Sequence, residues 1–197
     1  MTRARKQANS SAGSIRIIGG THRGRKLPVL NSEGLRPTTD RMKETLFNWL
    51  MSDVRGAKCI DCFAGAGSLG FEALSRGAES VDFLELDKKA AKQLAANAEL
   101  LRYSSTQATI QQGDSLVVLN NFMPSQVADI IFIDPPFERN LVQPCIEKLN
   151  AKGLVKAGTK VYIEREIRDI STQLPANWRL IKDKSTQQVS AQLYLVE

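Results

Sequence analysis

Apolar residues along this chain recur in two alternating patterns. Nearly continuous apolar runs at 57–62, 81–86, 108–111, 128–134 and 159–164 predict strands. Stretches between and after them, at 67–76, 87–102, 114–121 and 139–150, predict helices. In 87–102, Ala90, Leu94, Asn97 and Leu101 recur at helical spacing among Ala, Lys and Gln, which favour helix. Alternation at this period implies an α/β fold, a mostly parallel sheet with helices on both faces. The end of the chain departs from it. Residues 178–181 and 189–196 read as two strands joined by a polar turn at 182–188, an antiparallel hairpin at one sheet edge.

The beginning departs too. Residues 15–18 and 24–29 predict two short strands around a glycine-rich turn. Pro37, Thr38, Thr39 and Asp40 then start a helix over 40–51, with Met42, Leu46, Trp49 and Leu50 as its apolar stripe. Three parts follow from this reading: a disordered basic tail over 1–14, a hairpin-and-helix extension over 15–53, and the α/β domain over 54–197.

Charge changes the picture more than composition does. Of 197 residues, 42% are hydrophobic and 24% charged, which suits a globular core. No apolar run approaches the roughly 18 residues that span a bilayer. The basic start, Met1 to Gln7, lacks the apolar segment of a secretory signal, so a soluble, cytoplasmic protein is expected. The net charge of +6 is uneven: residues 1–45 hold ten Lys/Arg against three acids, while the rest is close to neutral. Such a concentration is the footprint of a polyanion partner. Arg16, Arg23, Arg25, Lys26, Arg36 and Arg41 are the candidate nucleic-acid contacts, and Gly19, Gly20 and Gly24 among them would let backbone approach phosphates. Cys59 and Cys62 are spaced for zinc or redox chemistry. With one histidine, His22, and no second pair of that spacing, packing is the preferred reading and no metal is expected.

After the first predicted strand comes Ile60-Asp61-Cys62-Phe63-Ala64-Gly65-Ala66-Gly67-Ser68-Leu69-Gly70. Gly65, Gly67 and Gly70 fit G-x-G-x-x-G, a turn that lets a nucleotide-like ligand approach the backbone. By itself the motif suits a nicotinamide cofactor equally. Glu85 ends the second strand, 20 residues after Gly65, where a carboxylate accepts both ribose hydroxyls. Gly113-Asp114 ends the third, within reach of an adenine amino group. Asp61 sits where a cofactor's ammonium would lie and would face a dinucleotide pyrophosphate badly. The set favours S-adenosylmethionine over NAD. Helix capping is the competing role for these carboxylates, more so for Asp114 than for Glu85.

The fourth strand runs directly into Asp134-Pro135-Pro136-Phe137. The two prolines fix φ and carry no N–H, leaving a carboxylate and carbonyls as a stiff set of acceptors. Such a set suits an exocyclic amino group, whose lone pair is delocalised into its base. Hydrogen bonds from its N–H groups to Asp134 and the Pro135 carbonyl would aim that lone pair at an electrophilic methyl. Phe137 would stack on a base taken out of its helix.

Together these motifs resemble class I methyltransferases acting on base amino groups. More narrowly, Ile15-Arg16-Ile17-Ile18-Gly19-Gly20, Arg23-Gly24-Arg25-Lys26-Leu27-Pro28, Leu35-Arg36-Pro37-Thr38-Thr39-Asp40-Arg41, Glu44-Thr45-Leu46-Phe47-Asn48-Trp49-Leu50 and Glu72-Ala73-Leu74-Ser75-Arg76 resemble the bacterial RsmD family, 16S ribosomal RNA guanine-N2 methyltransferases. The resemblance implies a Rossmann-like seven-stranded sheet with an N-terminal β-hairpin, S-adenosylmethionine as cofactor, and the 30S subunit or its assembly intermediate as partner, with guanine 966 as target. It implies Asp134, Pro135, Pro136 and Phe137 as the catalytic motif. Asp61, Phe63, Gly65, Gly67, Glu85, Leu86, Asp114 and Ser115 would hold the cofactor, with Thr39 near its methionine end or the substrate entrance. A monomer is expected. The rivals are a DNA amino-methyltransferase, for which the chain has no room for a large target-recognition region, a non-catalytic RNA-binding assembly factor, and a dehydrogenase.

Overall fold

The structure is a computed structural model that describes residues 13–29, 39–122, 127–169 and 172–197. The chain begins with a two-stranded hairpin, β1 (Gly13–Arg16) and β2 (Lys26–Val29), and the helix α1 (Asp40–Trp49). Then follow β3 (Lys58–Asp61), α2 (Ser68–Ser75), β4 (Ser80–Glu85), α3 (Lys88–Leu100), β5 (Ala108–Gln112), α4 (Ser115–Val118) with a 3-10 turn over Leu119–Asn121, β6 (Ile130–Ile133), α5 (Val142–Ala151) and β7 (Lys160–Glu166). The hairpin β8 (Trp178–Ser185) and β9 (Val189–Val196) closes the chain.

Seven strands form one sheet in the order β5-β4-β3-β6-β7-β9-β8. β3 to β7 run parallel, and β9 is antiparallel to both β7 and β8. This is the Rossmann-like α/β fold with an antiparallel C-terminal hairpin and an N-terminal β-hairpin. β6 (Ile130–Ile133) is buried at every position, as a central strand covered on both faces must be.

Each face carries its own core. Leu46, Phe47, Phe71, Phe83, Phe132 and Tyr162 belong to one; Ile131, Ile133, Cys145, Ile146, Leu149 and Ile163 belong to the other. Cys59 packs into the first and Cys62 into the second, so the two thiols serve opposite faces of the sheet and do not form a pair of ligands. Burial pushes the Cys59 thiol up from its ordinary value, and a hydrogen bond with Cys145, then burial, push Cys62 up.

The extension shares the first core through Ile15, Ile17 and Leu27. Its attachment runs along α2. The Ile18 amide donates to Glu72 Oε2 at 2.8 Å, the Thr21 amide to the Ser75 carbonyl at 2.7 Å, and Ser75 Oγ to the Gly19 carbonyl at 2.6 Å. Gly19 and Gly20 are glycines because α2 touches them. A Cβ on Gly20, whose φ is +73°, would lie 1.7 Å from the Ser75 carbonyl oxygen, and one on Gly19 would meet the Arg76 guanidinium at 2.4 Å. The close approach expected here for phosphates is therefore made by the helix end.

Element boundaries shift by a few residues throughout, and three of the shifts have a clear physical reason or consequence. β1 begins at Gly13, so the expected tail loses Gly13 and Ser14 to the hairpin; residues 1–12 lie outside the described residues. β8 continues to Ser185 through residues read as turn, because an edge strand is held by its ladder to β9 and needs no apolar run. α5 starts at Val142 and not at 139, because Glu138 and Asn140 take positive φ of 62° and 51°.

Candidate active site

The sheet order reverses at β3, which has β4 on one side and β6 on the other. Ligands bind in such folds in the crevice outside the carboxyl ends of the strands at this switch point. The glycine loop leaves β3 there and Asp134 leaves β6. The Cys62 amide donates to the Phe132 carbonyl at 3.0 Å, tying the two exits together.

The loop's glycines do separate jobs. Gly67, at φ +78°, caps α2; a Cβ on it would lie 2.6 Å from Leu94 and Phe71. A Cβ on Gly70 would lie 2.2 Å from the Phe83 ring, so this third glycine lets α2 settle on β4. Gly65 donates its amide to Glu85 Oε2 at 2.7 Å. The other oxygen of Glu85 accepts from the Asp87 amide, also at 2.7 Å. Burial pushes the Glu85 carboxyl up, against those two N–H groups, which pull it down. The Leu86 amide also pulls it down, and of the roughly four acceptor sites on a carboxylate at least one remains. Leu86 beside it is 66% exposed, an apolar side chain standing in solvent at the crevice.

Other expected cofactor residues are used partly for the scaffold. Asp114 caps α4, accepting from the Leu116 amide at 2.8 Å. Ser115 is buried and its hydroxyl donates to the Cys62 carbonyl, fastening α4 to the glycine loop. Phe63 is half-buried in that loop. Thr39 caps α1, accepting from the Met42 amide at 3.3 Å.

Asp61 is buried, and its carboxylate accepts from the Gly70 amide at 3.1 Å. Burial raises its pKa to about 7, and the charge of Glu85 adds to the shift. A carboxyl raised in the folded state contributes stability that is present below its unfolded value, near pH 4, and is lost as pH rises through about 7. Urea unfolding of the cofactor-free protein should therefore show a steeper loss of stability from about pH 4 to 7 than Asp61→Asn shows. The difference should reach on the order of a few kcal/mol. Parallel curves would mean that Asp61 does not carry this proton.

At the end of β6, Asp134 is half-buried, Pro135 buried, Pro136 exposed and Phe137 half-buried. The left-handed Glu138 and Asn140 turn the chain sharply just beyond. Sequence reasoning missed two neighbours of Asp134. Tyr162 and Glu164 of β7 are both buried, and the Tyr162 hydroxyl donates to Glu164 Oε2 at 2.7 Å. Burial, then the charges of Glu164 and Asp134, push the Tyr162 phenol well up.

The basic residues separate. Arg16 and Lys26 line a cavity of about 340 Å³ with Thr39, Asp40, Lys43 and Ser68, beside the start of α2. Arg23 and Arg25 follow His22 in the hairpin tip, and the His22 amide donates to Ser75 Oγ at the other end of that helix. Arg41 is exposed on α1, and Arg36 lies outside the described residues.

Lys43 was counted above only as charge, yet it is 1% exposed. Its ammonium donates to the Arg16 carbonyl at 2.6 Å and to Ser68 Oγ at 3.2 Å, and lies 3.9 Å from Glu72. Glu72 is fully buried and also accepts from Arg76 Nε at 2.7 Å. The Arg76 guanidinium stands 5.0 Å from the centre of the Phe47 ring. The cue for Glu72 was its place in an otherwise apolar helix.

Comparison with known proteins decides the family. A sequence profile described as "Conserved hypothetical protein 95" matches residues 15–195. The chain is 50% identical over 188 residues to ribosomal RNA small subunit methyltransferase D of Haemophilus influenzae, covering 95% of this chain and 97% of the relative. The Escherichia coli protein of that name is 43% identical over 195 residues, covering 96% and 94%. Among solved structures, Escherichia coli yhhF superposes with a TM-score of 0.85 at 40% identity, over 94% of this chain and 99% of its own. The chain belongs to the RsmD-type methyltransferase family. In this RsmD-type methyltransferase, no helix among the described residues is long and apolar enough to cross a membrane.

Proposed function

We propose that the chain transfers a methyl group from S-adenosylmethionine to N2 of a guanine in 16S ribosomal RNA, guanine 966 of the family's substrate. The observation that carries this reading is the position of Asp134-Pro135-Pro136-Phe137 at the end of β6, across the switch point from the Gly65–Gly67 loop. The cofactor's residues fit. Glu85 keeps acceptor capacity for a ribose hydroxyl, and exposed Leu86 offers an apolar face to a base. When bound, S-adenosylmethionine supplies an electrophilic methyl on a sulfonium. Asp134 and the Pro135 carbonyl accept from the two N–H groups of the guanine amine and turn its lone pair toward that methyl. Phe137 stacks on the base. This is catalysis by positioning and electrostatics, and the chemistry requires no metal.

Arg16, Lys26 and Arg41 hold RNA phosphates near the site, while Arg23 and Arg25 reach RNA farther along α2. Arg36, Asp61, Phe63, Asp114, Ser115 and Thr39 keep the roles the resemblance implies. The protein acts as a monomer in the cytoplasm, on the 30S subunit or its assembly intermediate.

The test is methyl transfer from labelled S-adenosylmethionine to small-subunit particles from cells lacking this enzyme, followed by nucleoside analysis. Label in N2-methylguanosine is expected; label in DNA adenine or cytosine instead would overturn the RNA reading. Glu85→Ala should weaken cofactor binding by about 1–3 kcal/mol. An unchanged calorimetric affinity would remove Glu85 from the ribose.

A further inference from the structure

We propose that the cavity between the hairpin and α1 seats one phosphate of the RNA backbone, with buried Lys43 among the groups that hold it. This rests on the reading of RNA as the substrate and names the chemical group by which the RNA is anchored.

The cavity, about 340 Å³, falls in the size range of small-ligand sites, roughly 300–1,000 Å³. Its lining carries three cations, Arg16, Lys26 and Lys43, against one carboxylate, Asp40. Folding alone does not account for them. Arg16 and Lys26 are register partners across β1 and β2, and like charges directly opposite each other destabilise a strand pair. Asp40 offsets this weakly, since its carboxylate is 3.9 Å from Arg16 Nε and both side chains are more than half exposed. Lys26 makes no ion pair among the described residues.

Lys43 adds a buried donor. Two of its ammonium hydrogens go to the Arg16 carbonyl at 2.6 Å and Ser68 Oγ at 3.2 Å. The carboxylates of Asp40 and Glu72 stand at 3.8 and 3.9 Å, too far for a hydrogen bond. The third hydrogen therefore has no acceptor among the described residues. Burial lowers the Lys43 pKa; Glu72 and Asp40 raise it, and Arg76 and Arg16 lower it again. Behind Lys43, Glu72 is matched by Arg76 at 2.7 Å, so the cavity keeps its positive surplus. Ser68 Oγ accepts from Lys43 and Thr39 Oγ1 from the Met42 amide, and each hydroxyl has its own proton left to donate.

A phosphodiester fits this set. No ring lines the cavity and Ile15 is its one apolar lining residue, so a base finds nothing to stack on there and the backbone is what is held. The cofactor's methionine end carries an ammonium beside its carboxylate, and a positive surplus opposes that ammonium. A phosphodiester brings a negative charge with no cation attached. Both α1 and α2 start at this cavity, at Asp40 and Ser68, and helix starts favour anions. Ser68 directly follows Gly67 of the glycine loop, so the phosphate belongs to the nucleotide taken into the site or to one beside it.

The first measurement needs no RNA. In the cofactor-free protein with nitrogen-labelled lysine, the Lys43 ammonium signal, assigned by its loss in Lys43→Arg, is followed by NMR as inorganic phosphate is added. It should shift saturably, and the midpoint should rise about tenfold in Lys26→Ala. The absence of a saturable shift overturns the proposal. The second measurement uses small-subunit particles from cells lacking this enzyme. Lys26→Ala and Lys43→Met should each weaken particle binding about tenfold, and the double variant by much less than the product of the two, because both side chains hold one phosphate. Arg16→Gln takes the place of Lys43→Met if that variant does not fold. Calorimetric cofactor affinity should stay within about twofold. Effects that multiply would mean separate phosphates. Cofactor affinity lost with particle binding intact would give the cavity to the cofactor's carboxylate. Phosphate binding with no effect on particles would leave an anion site that RNA does not use. Each of these three outcomes overturns the proposal. Neither measurement involves methyl transfer, so a failure here is distinct from a failure of the proposed reaction.

Discussion

Asp134→Ala is expected to lower methyl transfer by on the order of a thousandfold or more while cofactor affinity stays within about twofold. The side chain follows β6 at the switch point, and in the proposed reaction it takes the amine and not the sulfonium. On that proposal, truncation removes the acceptor that orients the lone pair. That role does not hold the cofactor, whose proposed seat is Glu85 and the glycine loop. Asp134→Asn should fall between, since an amide keeps one acceptor oxygen and loses the charge. Single-turnover transfer with calorimetric cofactor titration measures both halves. Turnover near wild type in the alanine variant would remove the mechanism; a matching loss of cofactor affinity would relocate Asp134 to the cofactor.

Glu72→Ala should produce the largest loss of stability, about 3–5 kcal/mol, because it breaks a buried charge network by removing one member. Among the described residues, Lys43 would keep its ammonium in the interior with only Asp40, 3.8 Å away, as an anionic partner. The Ile18 amide and Arg76 would lose their acceptor. The damage should concentrate where the hairpin meets α2, so hydrogen exchange over residues 13–29 should accelerate before the sheet opens. Glu72→Gln keeps an acceptor and should cost less. A urea midpoint unchanged in Glu72→Ala would show that the network contributes nothing net.

Much of this was legible in the sequence, for identifiable reasons. Strands covered on both faces must be apolar throughout, so Ile130–Ile133 and its neighbours stood out as runs. Gly65, Gly67 and Asp134-Pro135-Pro136-Phe137 stood out because few sequences need that backbone chemistry immediately after a strand. Edges and partners were not legible. β8 carries Lys182, Asp183 and Lys184, and its last residues are specified by hydrogen bonds to β9 that leave no hydropathy signal. Gly19 and Gly20 announced a close approach without naming what approaches; only the fold shows that it is Ser75 and Arg76. The burial of Lys43, Glu72 and Glu164 was not legible either, since burial of a charged side chain is decided by distant segments. The glycines and the Glu72–Arg76 segment were both recognised as motifs of one family, and their mutual contact explains why they occur together.

The glycine contact with α2 limits how the hairpin can be exchanged between proteins. With the Ser75 carbonyl seated against Gly20 and Glu72 bonded to the Ile18 amide, the hairpin is shaped to one helix surface. A chimera that imports another protein's hairpin should fold only if it imports the matching face of α2 as well. Since Ser68 at the head of that helix directly follows the glycine loop, altering the hairpin's proposed contacts without disturbing that loop requires substitutions at its solvent-facing arginines, not replacement of the whole module.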